Sequence, residues 1–153
     1  MIVIELPDEA ATAALAARIA ALARPGDVIA LKGELGAGKT SFARAFIRAR
    51  GGTEAVPSPT FTLVQTYELD DLAVWHIDGY RLRDPDEAWE LDIEDAFHAG
   101  VSLIEWPENL GSLVPTRRLE IALSAGRTPN SRHAALDPGG DWAARLAGVA
   151  AEL

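Results

Sequence analysis

The sequence predicts a three-layer α/β domain with a mixed central sheet, mostly parallel at its core and antiparallel at its edge. Three observations carry this. Residues 28–31 (Val-Ile-Ala-Leu) and 101–104 (Val-Ser-Leu-Ile) are apolar runs of the kind buried on both faces of a parallel sheet. Helical periodicities stand between such runs, as crossover connections require. Later strand-like segments are joined by loops too short for a crossover, which predicts antiparallel pairing.

In chain order, residues 2–6 predict a short strand ended by Pro7, and Asp8 is a good N-cap. Leu15, Ile19 and Leu22, spaced i, i+4, i+7, put one helix face over 9–23. Arg24-Pro25-Gly26-Asp27 breaks that helix before the 28–31 strand. A second helix over 39–50 turns Phe42, Phe46 and Ile47 inward and stops at Gly51-Gly52. Pro57-Ser58-Pro59-Thr60 is a constrained loop, since each proline biases its predecessor to extended geometry. Residues 62–69 and 73–78 predict a hairpin turning at Asp70-Asp71. Asp84-Pro85 opens short helices that run to Ala99 and stop at Gly100. After a strand at 101–105, segments 117–124 and 133–137 predict an antiparallel pair. Asp141 caps a last helix carrying Trp142, Leu146 and Val149. There is no repeat or low-complexity linker, so residues 1–153 read as one domain.

Composition narrows the function. A chain of 153 residues buries roughly two-thirds of its unfolded surface, enough for a core without staples. It has no cysteine, which excludes disulfides, a thiol nucleophile and cysteine-bound zinc. The formal net charge of −9 argues against stand-alone nucleic-acid binding and against docking on anionic membranes. No basic n-region precedes an apolar stretch at the start, and the longest apolar segment is short and interrupted by Arg18. A cytoplasmic location is expected.

Gly33-Glu34-Leu35-Gly36-Ala37-Gly38-Lys39-Thr40 fits G-x-x-x-x-G-K-[ST] at every fixed position, between a predicted strand and a predicted helix. Gly33, Gly36 and Gly38 let backbone amides approach phosphate oxygens. Successive N–H groups wrap the anion, and the helix points its positive end at it. Lys39 supplies a mobile charge for the β- and γ-phosphates, and Thr40 a hydroxyl for Mg²⁺. Ser41 is either an α-phosphate contact or an ordinary residue of the first turn. Such a loop needs a metal-orienting carboxylate at the end of another strand. Asp78 and Glu105 are the two candidates; the plain alternative for each is a solvated strand-end acid. Thr60 is placed to sense the γ-phosphate or Mg²⁺, or is a turn hydroxyl. His76 is a packed or a functional histidine, Trp106 a core residue or a platform, and Glu108 a surface residue. Arg81 and Arg83 either approach phosphate or are ordinary exposed arginines, which are common after a strand.

These residues resemble the TsaE (YjeE-type) P-loop ATPases. The likeness is carried by GELGAGKT at 33–40, SPTFTLV at 58–64, HIDGYRL at 76–82 and IEWPE at 104–108, with LPDEAAT at 6–12. It implies a P-loop NTPase-like fold and a role in bacterial threonylcarbamoyladenosine modification of tRNA, beside the anticodon. It also implies slow ATP hydrolysis that serves repeated turnover with the TsaB–TsaD pair, through which tRNA is met. Carried over by position, the loop from Gly33 to Ser41, with Leu35, Gly36, Ala37, Gly38 and Lys39, holds the phosphates of ATP or ADP. Thr40 and Glu105 coordinate Mg²⁺, and Asp78 takes the acidic position important for activity. Glu9, with Asp8 and Thr12, lies near the adenine, and Arg127 matches a nucleotide-contacting arginine. Gly79 stands where the family more often has a bulky apolar residue, which is expected to loosen that turn.

The expected chemistry is in-line attack of water on ATP, with Asp78 or Thr60 orienting the water. Lys39 is the expected charge stabiliser. A small-molecule kinase would need a basic phosphate-closing lid, but 84–99 is acidic. A GTPase would need an N-K-x-D motif, and neither Asn109 nor Asn130 begins one. A nucleotide-gated binding module with little hydrolysis is the remaining alternative.

Overall fold

The apolar runs at 28–31 and 101–104 form adjacent central strands of a seven-stranded sheet. The computed structural model describes residues 1–53, 55–57, 63–69, 71–87 and 93–148. Its elements are β1 (Ile2–Leu6), α1 (Glu9–Leu22), β2 (Val28–Lys32), α2 (Lys39–Ala49), β3 (Val64–Glu68) and β4 (Ala73–Asp78). They continue with α3 (Ile93–Ala99), β5 (Val101–Glu105), a 3₁₀ segment (Pro107–Leu113), β6 (Leu119–Ala125), β7 (Arg132–Pro138) and α4 (Trp142–Ala147). The sheet order is β1-β7-β6-β2-β5-β4-β3. Strands β6, β2, β5 and β4 run parallel, whereas β7 and β1 add antiparallel at one edge and β3 at the other. The expected mixed sheet with a parallel core is what forms.

Alternation along each strand sorts side chains between two cores. Ile29, Leu31, Val74, Val101 and Leu103 meet Leu15 and Ile19 of α1 and Phe42, Phe46 and Ile47 of α2. Val28, Ile77 and Ile104 point the other way, against Ile93 and Ala96 of α3 and Leu110. Asp8 caps α1 as expected: its Oδ1 accepts from the Ala11 N–H at 2.8 Å.

Several boundaries differ from the sequence reading. Helix α1 stops at Leu22 and α2 at Ala49, β3 begins at Val64 and β6 at Leu119. Asp141 stands at the N-cap of α4, but its side chain makes no cap bond. Its carboxylate accepts from Arg145 instead, one turn on, where a charged partner outcompetes the backbone. The stretch after Glu105 is a 3₁₀ segment that Pro107 opens. Asp70, Val149 and part of the short helical stretch before Ala99 lie outside the described residues. Among the described residues, no helix is long and apolar enough to cross a membrane.

The turn at Gly79 is tight rather than loose. Its N–H donates to the Glu105 carbonyl and its carbonyl accepts from Asn109 Nδ2, each at 2.9 Å. A Cβ there would lie 2.7 Å from the Trp106 carbonyl oxygen and 2.8 Å from Leu110 Cδ1. Gly79→Ala is therefore expected to cost about 1–3 kcal/mol through overpacking. Urea unfolding measures it, and an unchanged midpoint would contradict the tight turn.

Candidate functional site

Three parallel strands end at the same rim of the sheet. β2 runs into the glycine-rich turn, and β4 and β5 end in acids. Asp78 and Glu105 are partners in register, and Leu31 is the partner of Glu105 on its other side. This places both candidate carboxylates beside the turn that opens α2. Each is 3% exposed, so neither is a solvated strand-end acid.

The turn is shaped by backbone that only glycine adopts easily. Gly33 has φ 145°, and a Cβ on it would lie 2.5 Å from the Leu123 carbonyl oxygen of β6. Gly38 has φ 104° and is the N-cap of α2, which no side chain caps. The first amides of α2 are thus left without a side-chain cap, the arrangement found where helix starts bind phosphate. Thr40 follows one turn position in. Its hydroxyl donates to the Glu105 carboxylate, with Oε1 at 2.9 Å and Oε2 at 3.0 Å.

Lys39 is buried and folds back over the turn, donating to the carbonyls of Gly33 and Glu34. Its Nζ lies 3.9 Å from the centre of the Trp106 ring, a cation–π contact. Burial pulls its pKa below the usual lysine value, against the opposing pull of Glu105, Glu108 and Asp78. Trp106 is partly buried, and its ring lies against Lys39 and Tyr80. Its backbone is left-handed, φ 56°, and the half-exposed Tyr80 ring packs 5.1 Å from it. Asp78 Oδ1 accepts from the Tyr80 N–H at 2.9 Å, which fixes its carboxylate at the strand end. Glu108 is exposed, as expected.

Two hollows meet at this turn. The smaller, about 260 Å³, is lined by Leu35 to Ser41 with Asp78, Glu105, Tyr80, Trp106 and Arg132. The larger, about 600 Å³, runs between α1 and α2 past Glu9, Thr12, Ser41, Arg44 and Arg48. Gly38, Ser41 and Arg132 line both. Glu9 lines this neighbouring groove. Arg127 does not join it. It is exposed and lines a separate hollow with Glu5, Pro7 and His133. Thr60 lies outside the described residues.

Sequence reading missed Arg132. Its Nε donates to the Ala37 carbonyl at 3.0 Å and its Nη2 to the Gly36 carbonyl at 3.2 Å. Holding the Ala37 carbonyl directs the N–H of the same peptide group, that of Gly38, the opposite way. Its position at the first residue of a strand gave no signal, because the pairing spans 95 positions.

The strand order and the turn from β2 into α2 define a P-loop NTPase-like fold. The model of the family "Threonylcarbamoyl adenosine biosynthesis protein TsaE" matches residues 6–134. The chain is 42% identical over 118 residues to the Bacillus subtilis tRNA threonylcarbamoyladenosine biosynthesis protein TsaE, covering 76% of this chain and 72% of that one. It is 40% identical over 119 residues to the Rickettsia bellii protein of the same name, covering 77% and 83%. The crystal structure of Bacillus subtilis YdiB superposes with TM-score 0.82 and 31% identity, over 99% of this chain and 95% of that one. This chain belongs to the TsaE family, which acts in tRNA threonylcarbamoyladenosine biosynthesis.

Arg132→Ala should free the turn. Amide hydrogen exchange at residues 36–38 is expected to accelerate about tenfold or more, with the β6–β7 core still protected. Unchanged exchange there would contradict the role of the guanidinium.

Proposed function

We propose that this chain binds ATP with Mg²⁺ and hydrolyses it slowly to ADP and phosphate. The hydrolysis serves repeated rounds of threonylcarbamoyl transfer to the adenosine at position 37 of tRNA by TsaB–TsaD. The observation that carries this is the Thr40 hydroxyl held on the Glu105 carboxylate at the start of an uncapped helix. No packing need explains a buried carboxylate there.

The donor set fits Mg²⁺. Among the described residues no three acidic or histidine side chains cluster to cage a metal. Mg²⁺ does not need such a cage, since it binds through one or two protein oxygens, substrate phosphates and water. Thr40 and Glu105 would hold it, and it would neutralise charge developing between the β- and γ-phosphates.

The chain's own groups then divide the work. The turn from Gly33 to Ser41 binds the phosphates through its amides. Lys39 leaves the Gly33 and Glu34 carbonyls and pairs with phosphate oxygens. Asp78, fixed by the Tyr80 N–H, orients the attacking water; Thr60 is the other candidate for that task. Water attacks the γ-phosphorus, the bond to the bridging oxygen breaks, and ADP leaves. Ser41 is offered to the α-phosphate. The groove past Glu9 and Thr12 takes the nucleoside. Arg132 replaces Arg127 as the arginine beside the nucleotide. With a net charge of −9, the chain meets tRNA through its partners rather than alone.

Lys39→Ala should weaken ATP binding by about tenfold or more in calorimetry, a loss of ~1.4 kcal/mol. Glu105→Ala should lose the Mg²⁺ dependence of binding and turnover while the fold survives. Phosphate release should be slow for the chain alone and faster with cognate TsaB and TsaD. Full turnover by Glu105→Ala at limiting Mg²⁺ would remove the metal assignment.

A further inference from the structure

A buried histidine stands directly beside the two strand-end acids. His76 is 0% exposed on β4, on the same face as Asp78 and in register with Leu103. Val74, Val101 and Leu103 make that face apolar, so a leucine at 76 would extend the core at no polar cost. Instead the ring places Nε2 2.6 Å from Glu105 Oε2. Nδ1 has no partner among the described residues. An ionised carboxylate only accepts, so Nε2 carries a hydrogen and donates it. Glu105 is thus gripped between two donors on different elements, the Thr40 hydroxyl from α2 and the His76 ring from β4.

We infer that His76 is a positioning residue that holds the Glu105 carboxylate toward Thr40, setting the metal-binding oxygen before nucleotide arrives. The inference rests on the nucleotide reading above. His76 touches neither phosphate nor water; it acts through Glu105. Ligand-orienting hydrogen bonds of this kind change metal affinity about 10- to 100-fold when removed. The sequence could not distinguish this histidine from a packed one, since its partner stands 29 positions away.

The test compares wild type with His76→Ala, which removes the donor, and His76→Gln, whose amide N–H reaches toward the same place. ATP binding is titrated calorimetrically across Mg²⁺ concentrations and in EDTA. For His76→Ala the half-saturating Mg²⁺ concentration is expected to rise about 10- to 100-fold, with the loss confined to the Mg²⁺-dependent part of binding. His76→Gln should recover most of it. Wild-type Mg²⁺ dependence in His76→Ala, or no recovery in His76→Gln, would overturn the inference. Long-range ¹⁵N–¹H spectra of wild-type protein test the geometry without a substitution, so an unfolded variant leaves the question decidable. The Nε2–H tautomer is expected, and the Nδ1–H tautomer would overturn it. A wild type that bound no ATP would sink the functional reading instead, while the tautomer result would stand.

Discussion

A buried carboxylate must be hydrogen-bonded, and Glu105 is where this fold meets that demand. An unpaired charge at its depth costs several kcal/mol. Hydrogen bonds to a charged group return about 1.5–3 kcal/mol each. Two donors, from β4 and α2, are therefore enough to keep the acid inside. They also tie the end of β5 to the first turn of α2. On the proposed function, the carboxylate's contribution to the fold and its readiness for Mg²⁺ would come from the same contacts.

The sheet makes this convergence possible. Parallel β2, β5 and β4 all end at one rim, the place where open α/β sheets bind ligands. The antiparallel edge adds a second contribution. β7 pairs with β6, and its first residue, Arg132, reaches back to the glycine-rich turn. The glycine-rich turn is thus held from the sheet's centre by β2 and from its flank by one guanidinium. The Trp106 ring covers Lys39 from the remaining side.

Local pattern made much of this legible. Doubly buried strands read as apolar runs, and β4 and β5 form over the residues the pattern indicates. The glycine-rich turn is legible because each fixed residue has its own physical reason to be there. Contacts between distant segments left no such trace. Arg132 and Arg127 are both arginines near the second hairpin, and only the pairing of β7 with β6 decides which faces the turn. His76 reads as a strand residue until β5 brings Glu105 beside it. Asp141 has the right residue type for a cap, but Arg145 takes its carboxylate. Gly79 reads as a loosening, yet the Trp106 backbone occupies the space a side chain would need.

The central claim is that the turn after β2, with Thr40 and Glu105, forms one seat for a magnesium nucleotide. The most direct measurement is a crystal structure of this chain with Mg²⁺ and a non-hydrolysable ATP analogue. The triphosphate is expected to be wrapped by residues 33–41, with the metal between the Thr40 hydroxyl and the Glu105 carboxylate. A triphosphate bound elsewhere, or a metal held by Asp78 and not by Glu105, would contradict it.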